Sequence, residues 1–216
     1  MSEPGLPSTI ASAVEHRLEI KRSVFLTRLT PVATLDEADA VVAAIRKADW
    51  DARHHCTALV IGPHGERQRS SDDGEPAGTA GVPMLEVLRH RHVTDVVAVV
   101  SRWFGGVKLG AGGLVRAYGN AVAGALDEAQ WVDRVPLTSL TLEVPHADAG
   151  RVLASLHTWA DAQGAVLDDP VYAATALLGM RVAPEQVEAA RAEVAAITAG
   201  AIEARVGDTS IVDRPR

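Results

Sequence analysis

Residues 94–126 read TDVVAVVSRWFGGVKLGAGGLVRAYGNAVAGAL, and the order of features in this stretch sets the architecture of the first half of the chain. Thr94–Ser101 is almost entirely apolar. A strand with apolar residues on both faces must be covered on both, so it belongs in the middle of its sheet. Further on, Leu114, Val115, Tyr118, Ala121, Val122, Ala125 and Leu126 recur at helical spacing. They make a wide apolar face from Gly112 to Ala129, the mark of a largely buried helix. FGGVKLGAGG joins the two, so a glycine-rich loop runs from a buried strand into a buried helix.

Working outward, His54–Ile61 (HHCTALVI) is rich in β-formers and stops at Gly62-Pro63, which predicts a strand. Upstream, Thr34 opens TLDE, a capping box in which the Thr hydroxyl accepts from Glu37 while Glu37 reaches back. Leu35, Ala38, Val42 and Ile45 follow at helical spacing, predicting a helix over 35–49. Val14–Leu29 alternates and predicts a strand or hairpin. Residues 70–83, SSDDGEPAGTAGVP, form an acidic turn; Thr79 then caps a helix to about Arg91, with Pro83 tolerated in its first turn. A break near Trp131–Pro136 precedes a strand (138–144), a helix (147–163), strands near 165–169 and 172–182, a helix over 184–199 and a strand near 201–207. That order, βαββαβ, is the ferredoxin-like split pattern. The expectation is an α+β chain of two domains, 1–134 and 135–216.

Of the 216 residues 47% are hydrophobic and 23% charged, as expected of a globular protein. No apolar run approaches the roughly 18 residues of a spanning helix. The opening MSEPGLPSTIASAVEHR lacks the basic start and apolar stretch of a secretory signal. One cysteine excludes an internal disulfide framework. A cytoplasmic protein without membrane partners is expected. Residues 1–134 hold 15 Lys and Arg against 17 Asp and Glu, and residues 135–216 hold 6 against 11. Nucleic-acid binders use a basic face to neutralise phosphates, so any such contact falls to a local patch in the first half.

The two loops carry the chemistry. Gly105, Gly106, Gly110, Gly112 and Gly113 permit close approach to the backbone, and a helix start offers free amides to an anion. Arg102, Lys108 and Arg116 add positive charge, and Thr79 adds a hydroxyl. The spacing matches neither G-x-x-x-x-G-K-[ST] nor G-x-G-x-x-G; a small anion or phosphate, or simply a tight turn packing helix on sheet, both satisfy it. Asp72, Asp73 and Glu75 offer oxygen ligands to a hard cation such as Mg²⁺, or an ion-pair network with the nearby cations. His54 and Cys56 share one face of their strand while His55 points away. They suit a thiol mechanism only if a base lowers the cysteine pKa, and a buried small hydrophobe is the plainer role.

DARHHC, SDDGEPAGTAG and RWFGGVKLGAGGLVRAYG, in this order and spacing, resemble the IMPACT/YigZ family from about Glu19 to Leu126, and the remainder resembles the small second domain of its bacterial branch. His55 stands where the family usually has asparagine, and Trp103 where it has tyrosine. The resemblance implies a first domain of the elongation-factor-G domain IV type with a left-handed βαβ crossover, and a ferredoxin-like second domain. It also implies a link to translation, since eukaryotic relatives restrain a starvation-responsive kinase by competing for its activator. Those relatives carry a further N-terminal domain, so that partner is not transferred. The motif positions that transfer are His54, Cys56, Asp72, Asp73, Glu75, Gly78, Thr79, Arg102, Gly105, Gly106, Lys108, Gly110, Gly112, Gly113, Arg116 and Tyr118.

Two functions fit. One is a non-enzymatic regulator contacting the translation machinery or an RNA-bearing partner. The other is an enzyme or ligand-binding module for a phosphorylated small molecule, with the anion over Gly110–Gly113 and Lys108 and Mg²⁺ on the acidic turn. The expected arrangement has the acidic turn and the glycine loop facing each other across the first sheet and neutralising one another.

Overall fold

The computed structural model describes residues 5–216; residues 1–4, the start of the opening stretch taken to lack a secretory signal, lie outside the described residues. The chain is α+β and divides into two compact units. One comprises the described residues up to Arg134 together with Asp213–Arg216, the other Val135–Val212.

The first unit contains β1 (Thr9–Ile10), β2 (Val14–Ile20), β3 (Ser23–Pro31), α1 (Leu35–Ala48), β4 (His54–Ile61), β5 (Arg67–Ser71), α2 (Gly81–His90), β6 (Val96–Trp103), α3 (Ala111–Asp127) and the start of β7 (Trp131–Val144). Five strands form one sheet in the order β2-β3-β6-β4-β5, with every neighbouring pair antiparallel. The apolar strand β6 is central, as its composition demands. Val96, Ala98 and Val100 pack with Met84 and Leu88 of α2 and Ala117, Tyr118 and Ala121 of α3. Val97 and Val99 face the other way, onto Ala38 and Ile45 of α1. β3 and β4 flank β6, both antiparallel to it, so α1 connects two parallel strands across a third.

Three helix starts show how local sequence and tertiary context divide the work. At α1 the Thr34 hydroxyl accepts from the Glu37 N–H at 3.2 Å, and the Glu37 carboxylate accepts from Ala33 at 2.8 Å, one residue before the cap. At α2 the expected Thr79 cap does not form: its hydroxyl donates to the Pro76 carbonyl at 2.6 Å. The turn folds back instead and delivers the Asp72 carboxylate, which accepts from Gly78 (2.7 Å), Ala80 (2.9 Å) and Gly81 (2.8 Å). An ionised carboxylate is the stronger acceptor, so it displaces the hydroxyl. At α3 the N-cap is Gly110 at φ +73°, without a side-chain cap. The buried stripe of α3 runs through Ala117, leaving Val115 40% exposed.

In the second unit β7 continues to Val144, followed by α4 (His146–Gln163), β8 (Val166–Leu167), β9 (Val171–Tyr172), β10 (Ala176–Val182), a short 3-10 turn (Pro184–Gln186), α5 (Val187–Ile197) and β11 (Arg205–Pro215). β7 therefore starts earlier, and β11 ends later, than the apolar pattern indicates. β11 pairs β7, β7 pairs β10 and β10 pairs β8, while β9 pairs the other end of β10. Fourth strand beside first, then third, then second, is the ferredoxin-like arrangement. Leu140, Leu142, Leu178 and Met180 meet Val152 and Leu156 of α4 and Val194 of α5 in its core.

Candidate functional site

The residues singled out by sequence all lie in the first unit, and some of them meet where β4, the acidic turn 72–78, the end of β6 and the start of α3 adjoin. Asp73 takes φ +44° and Gly74 φ +83°; aspartate is one of the few residues that accepts this conformation as a single position. The turn is thereby bent so that its three acids point to three different partners.

Asp72 is spent on the amides ahead of α2. Burial alone would raise its pKa, but the Gly78, Gly81 and Ala80 N–H groups outweigh it and hold the carboxyl below its ordinary value. Asp73 accepts from the Arg46 guanidinium at 2.5 Å and from the His55 N–H at 2.6 Å. Burial opposes these contacts too, and again the net shift is downward. Glu75 is buried, takes a hydrogen bond from Arg102, and accepts from the Tyr118 hydroxyl at 2.8 Å. Tyr118 lies edge-on to Phe25 with centroids 5.2 Å apart. Burial, and then Cys56 and Glu75 beside it, push its phenol far above the ordinary range.

Each carboxylate of the acidic turn is engaged separately, and among the described residues no group of three His, Cys, Asp or Glu side chains is placed to hold a metal ion, so the contacts favour the ion-pair alternative for this turn. One expectation is corrected: the acids do not simply neutralise the glycine loop. Glu75 pairs with Arg102, but Asp73 pairs with Arg46 of α1 and not with Lys108, because the bend at 73–74 aims it back toward β4.

His54 and Cys56 share a face of β4, and both reach the backbone of the acidic turn. His54 Nδ1–H donates to the Asp73 carbonyl at 2.8 Å, while Cys56 Sγ lies 3.1 Å from the Asp72 carbonyl and 3.3 Å from the Tyr118 hydroxyl. They act as successive pegs for the turn and are not a nucleophile–base pair. The thiol is fully buried, and burial, with nearby Glu75 and Asp73 adding to it against its one contact with the Tyr118 hydroxyl, pushes it up to about 12. A nucleophilic cysteine requires the opposite shift.

Beside this scaffold opens a cleft of about 450 Å³ lined by Arg53, His54, Gly74, Glu75, Pro76, Arg102, Phe104, Lys108, Leu109, Gly110, Ala111 and Leu114. His54 Nε2 lies 3.9 Å from Glu75 Oε1 at its floor. The Arg102 guanidinium sits 5.3 Å from the Phe25 ring centroid and 5.9 Å from that of Phe104. Of the glycines, Gly110 reaches the cleft directly. Gly105 serves the fold instead. A Cβ there would lie 2.0 Å from the Arg22 carbonyl carbon, so only glycine lets the loop press against the β2–β3 turn. Gly106, Gly112 and Gly113, Arg116 and Thr79 do not line the cleft. Arg116 sits one turn into α3, with its Nη1 3.8 Å from the position of a Gly112 Cβ. A larger cavity of about 540 Å³, bordered by Thr9, Pro31, Asp95 and Arg134, holds none of the candidate site residues.

Sequence reasoning missed four contributors. Arg53 and Phe104 line the cleft, and both were legible as parts of DARHHC and RWFGG. Arg46 and Asp49 were not. Asp49, the C-cap of α1, accepts from Arg28 and from Ser101 (2.6 Å), and its carbonyl accepts from His55 Nε2 at 3.1 Å. His55 thus ties β4 to the end of α1 through its side chain.

A family model described as the Impact N-terminal domain matches residues 21–126, which hold the whole acidic turn and glycine loop. The IMPACT family member YigZ of Escherichia coli is 45% identical over 140 residues, 64% of this chain and 67% of that protein. This chain belongs to the IMPACT family. The family member YvyE of Bacillus subtilis is 50% identical over 126 residues, 58% of each chain, so the match spans little more than half the length of that relative. A crystal structure of a hypothetical protein superposes with a TM-score of 0.60 and 34% identity, over 95% of this chain and 98% of the other. The IMPACT match to the first unit thus coincides with the cleft and its scaffold. Among the described residues no helix is long and apolar enough to cross a membrane.

Proposed function

We propose that this chain is a non-enzymatic regulatory protein of the translation apparatus, which works by presenting the cleft of its first unit to an RNA-bearing partner. Membership of the IMPACT family supports a regulatory role. The observation that carries the binding mode is the convergence of Arg53, Arg102 and Lys108 on one cleft at the start of α3, in a chain of net charge −7. A local cationic site on an acidic protein selects an anionic group and does not coat a duplex. The groups that would carry covalent chemistry are disarmed by their surroundings: Cys56 holds its proton, Tyr118 holds its proton, and Glu75 is tied to Arg102.

The test is sedimentation with ribosomes at low and moderate salt. The parent chain is expected to pellet with ribosomes at low salt and progressively less as salt rises, because phosphate contacts release counterions. An Arg53→Ala/Lys108→Ala double variant is expected to stay in the supernatant. Failure of the parent chain to co-sediment under any condition refutes the proposal.

A further inference from the structure

We infer that the cleft beside α3 is a receptor for a phosphate monoester carrying a flat or apolar body, either a free nucleoside monophosphate or the phosphorylated 5′ end of an RNA. The inference rests on the cleft being the binding face, as proposed above, and adds the chemistry of what enters it.

Arg102 gives the first reason. It lines the cleft, is 6% exposed, and has a buried Nε with no hydrogen-bond partner. A guanidinium carries five N–H donors, and interiors rarely leave such a group unmet. Glu75 answers Nη1 alone, so Arg102 brings to the wall of the cleft a guanidinium whose donors the described residues leave incompletely met. Charge gives the second. Arg53, Arg102 and Lys108 face a single acid, Glu75, an excess of two positive charges with histidine counted as uncharged. That excess matches a monoester dianion, whereas a carboxylate leaves one cation unanswered.

The helix start gives the third. The first bond within α3 runs from the Leu114 N–H to the Gly110 carbonyl at 2.9 Å, so the amides ahead of Leu114 fall in the turn where helices lack internal partners. They add their partial positive charge at the same mouth. Gly110 and Ala111 line the cleft, and with Gly110 at φ +73° nothing lies within 4 Å of where its Cβ would be, so the cleft is open at the residue that begins the helix. Apart from His54 the other side chains of the cleft are apolar, among them Pro76, Leu109, Leu114 and the ring of Phe104, which is 45% exposed. A half-exposed ring backed by a guanidinium is a stacking platform for a base, and about 450 Å³ falls within the ordinary range of small-ligand sites.

The experiment is calorimetric titration of the whole chain with AMP against adenosine, and with a short 5′-phosphorylated RNA against its 5′-hydroxyl counterpart. Binding is expected to depend on the phosphate by at least about tenfold in one pair or both, since charge-assisted bonds carry it. AMP preference alone identifies a free mononucleotide as the ligand, and preference for phosphorylated RNA alone identifies the RNA end. Arg53→Ala and Lys108→Ala, both at exposed positions, are each expected to weaken the preferred ligand about tenfold without a change in melting temperature. Phosphate-independent affinity in both pairs, no binding in either, or unchanged binding by the double variant overturns the inference. A chain that pellets with ribosomes but shows no phosphate dependence loses this ligand and keeps the translation role. Phosphate-dependent binding without ribosome association does the reverse.

Discussion

Replacing Glu75 with glutamine removes one charge from a buried pair, Arg102 being 6% exposed and Glu75 9%. Glutamine keeps an oxygen to accept from Tyr118 and Arg102, so shape and contacts barely change and the neutralisation of Arg102 is what disappears. Stranding one member of a buried pair costs about 3–5 kcal/mol. Asp73→Asn is the matched control. The Arg46 side chain that pairs with Asp73 is 44% exposed, such pairs contribute about 0.2–1 kcal/mol, and asparagine still accepts from the His55 N–H. Its expected cost is therefore about 1 kcal/mol or less. Urea unfolding of the whole chain, followed by far-UV circular dichroism, reads both. With a slope of about 2 kcal/mol per molar, the first unit's midpoint falls by about 1.5–2.5 M in Glu75→Gln and by about 0.5 M or less in Asp73→Asn. Equal shifts, or a Glu75→Gln midpoint within about 0.3 M of the parent, refute the reasoning.

Three further outcomes follow from the same geometry. Asp49, Asp72 and Asp73 titrate below their ordinary value in the fold: burial would raise each, but Arg28 and Ser101, the three amides, and Arg46 with the His55 N–H respectively outweigh it. A carboxyl depressed on folding contributes stability that is complete above its unfolded pKa and is lost as pH falls through its folded one. Melting temperature should hold from neutrality to about pH 4 and drop below it, and Asp72→Ala should lower the plateau and soften the drop. Cys56, at about 12, is thiolate in only about one molecule in ten thousand at pH 8. A colorimetric disulfide reagent is then expected to find no reactive thiol in the folded chain and one equivalent in urea, and prompt native labelling contradicts the burial assigned here. Gly105→Ala drives a Cβ into backbone of the β2–β3 turn, so it should cost at least the upper end of the roughly 1–3 kcal/mol typical of overpacking. It should therefore melt lower than a Gly106→Ala variant, whose Cβ meets nothing within 4 Å and whose cost is that of holding alanine at φ +85°, about 1–2 kcal/mol.

What the sequence revealed is what patterning encodes. β6 and α3 were legible because a strand buried on both faces and a helix buried on one leave unmistakable apolar spacings, and α1 because its cap is local. β5, RQRSS, escaped notice: it is a polar edge strand paired on one side only, so nothing in its composition demands burial. Thr79 was the visible candidate for the α2 start, but the amides there go to Asp72, because the turn folds back through eight residues. The charges of the site were likewise legible while their pairing was not. Asp73 found Arg46, 27 residues upstream on α1, and Asp49 found Arg28 and Ser101. Such partners are fixed by which strands neighbour one another, a property no short window contains.

The contact between Gly105 and the tip of the β2–β3 hairpin has a practical consequence. A hairpin end is ordinarily where a chain tolerates an inserted epitope or a fluorescent reporter. At Lys21 and Arg22 that tolerance is absent, because the tip braces the loop from beneath. Cargo grafted there would behave as a jack beneath the glycine loop, so labelling strategies for this molecule belong elsewhere.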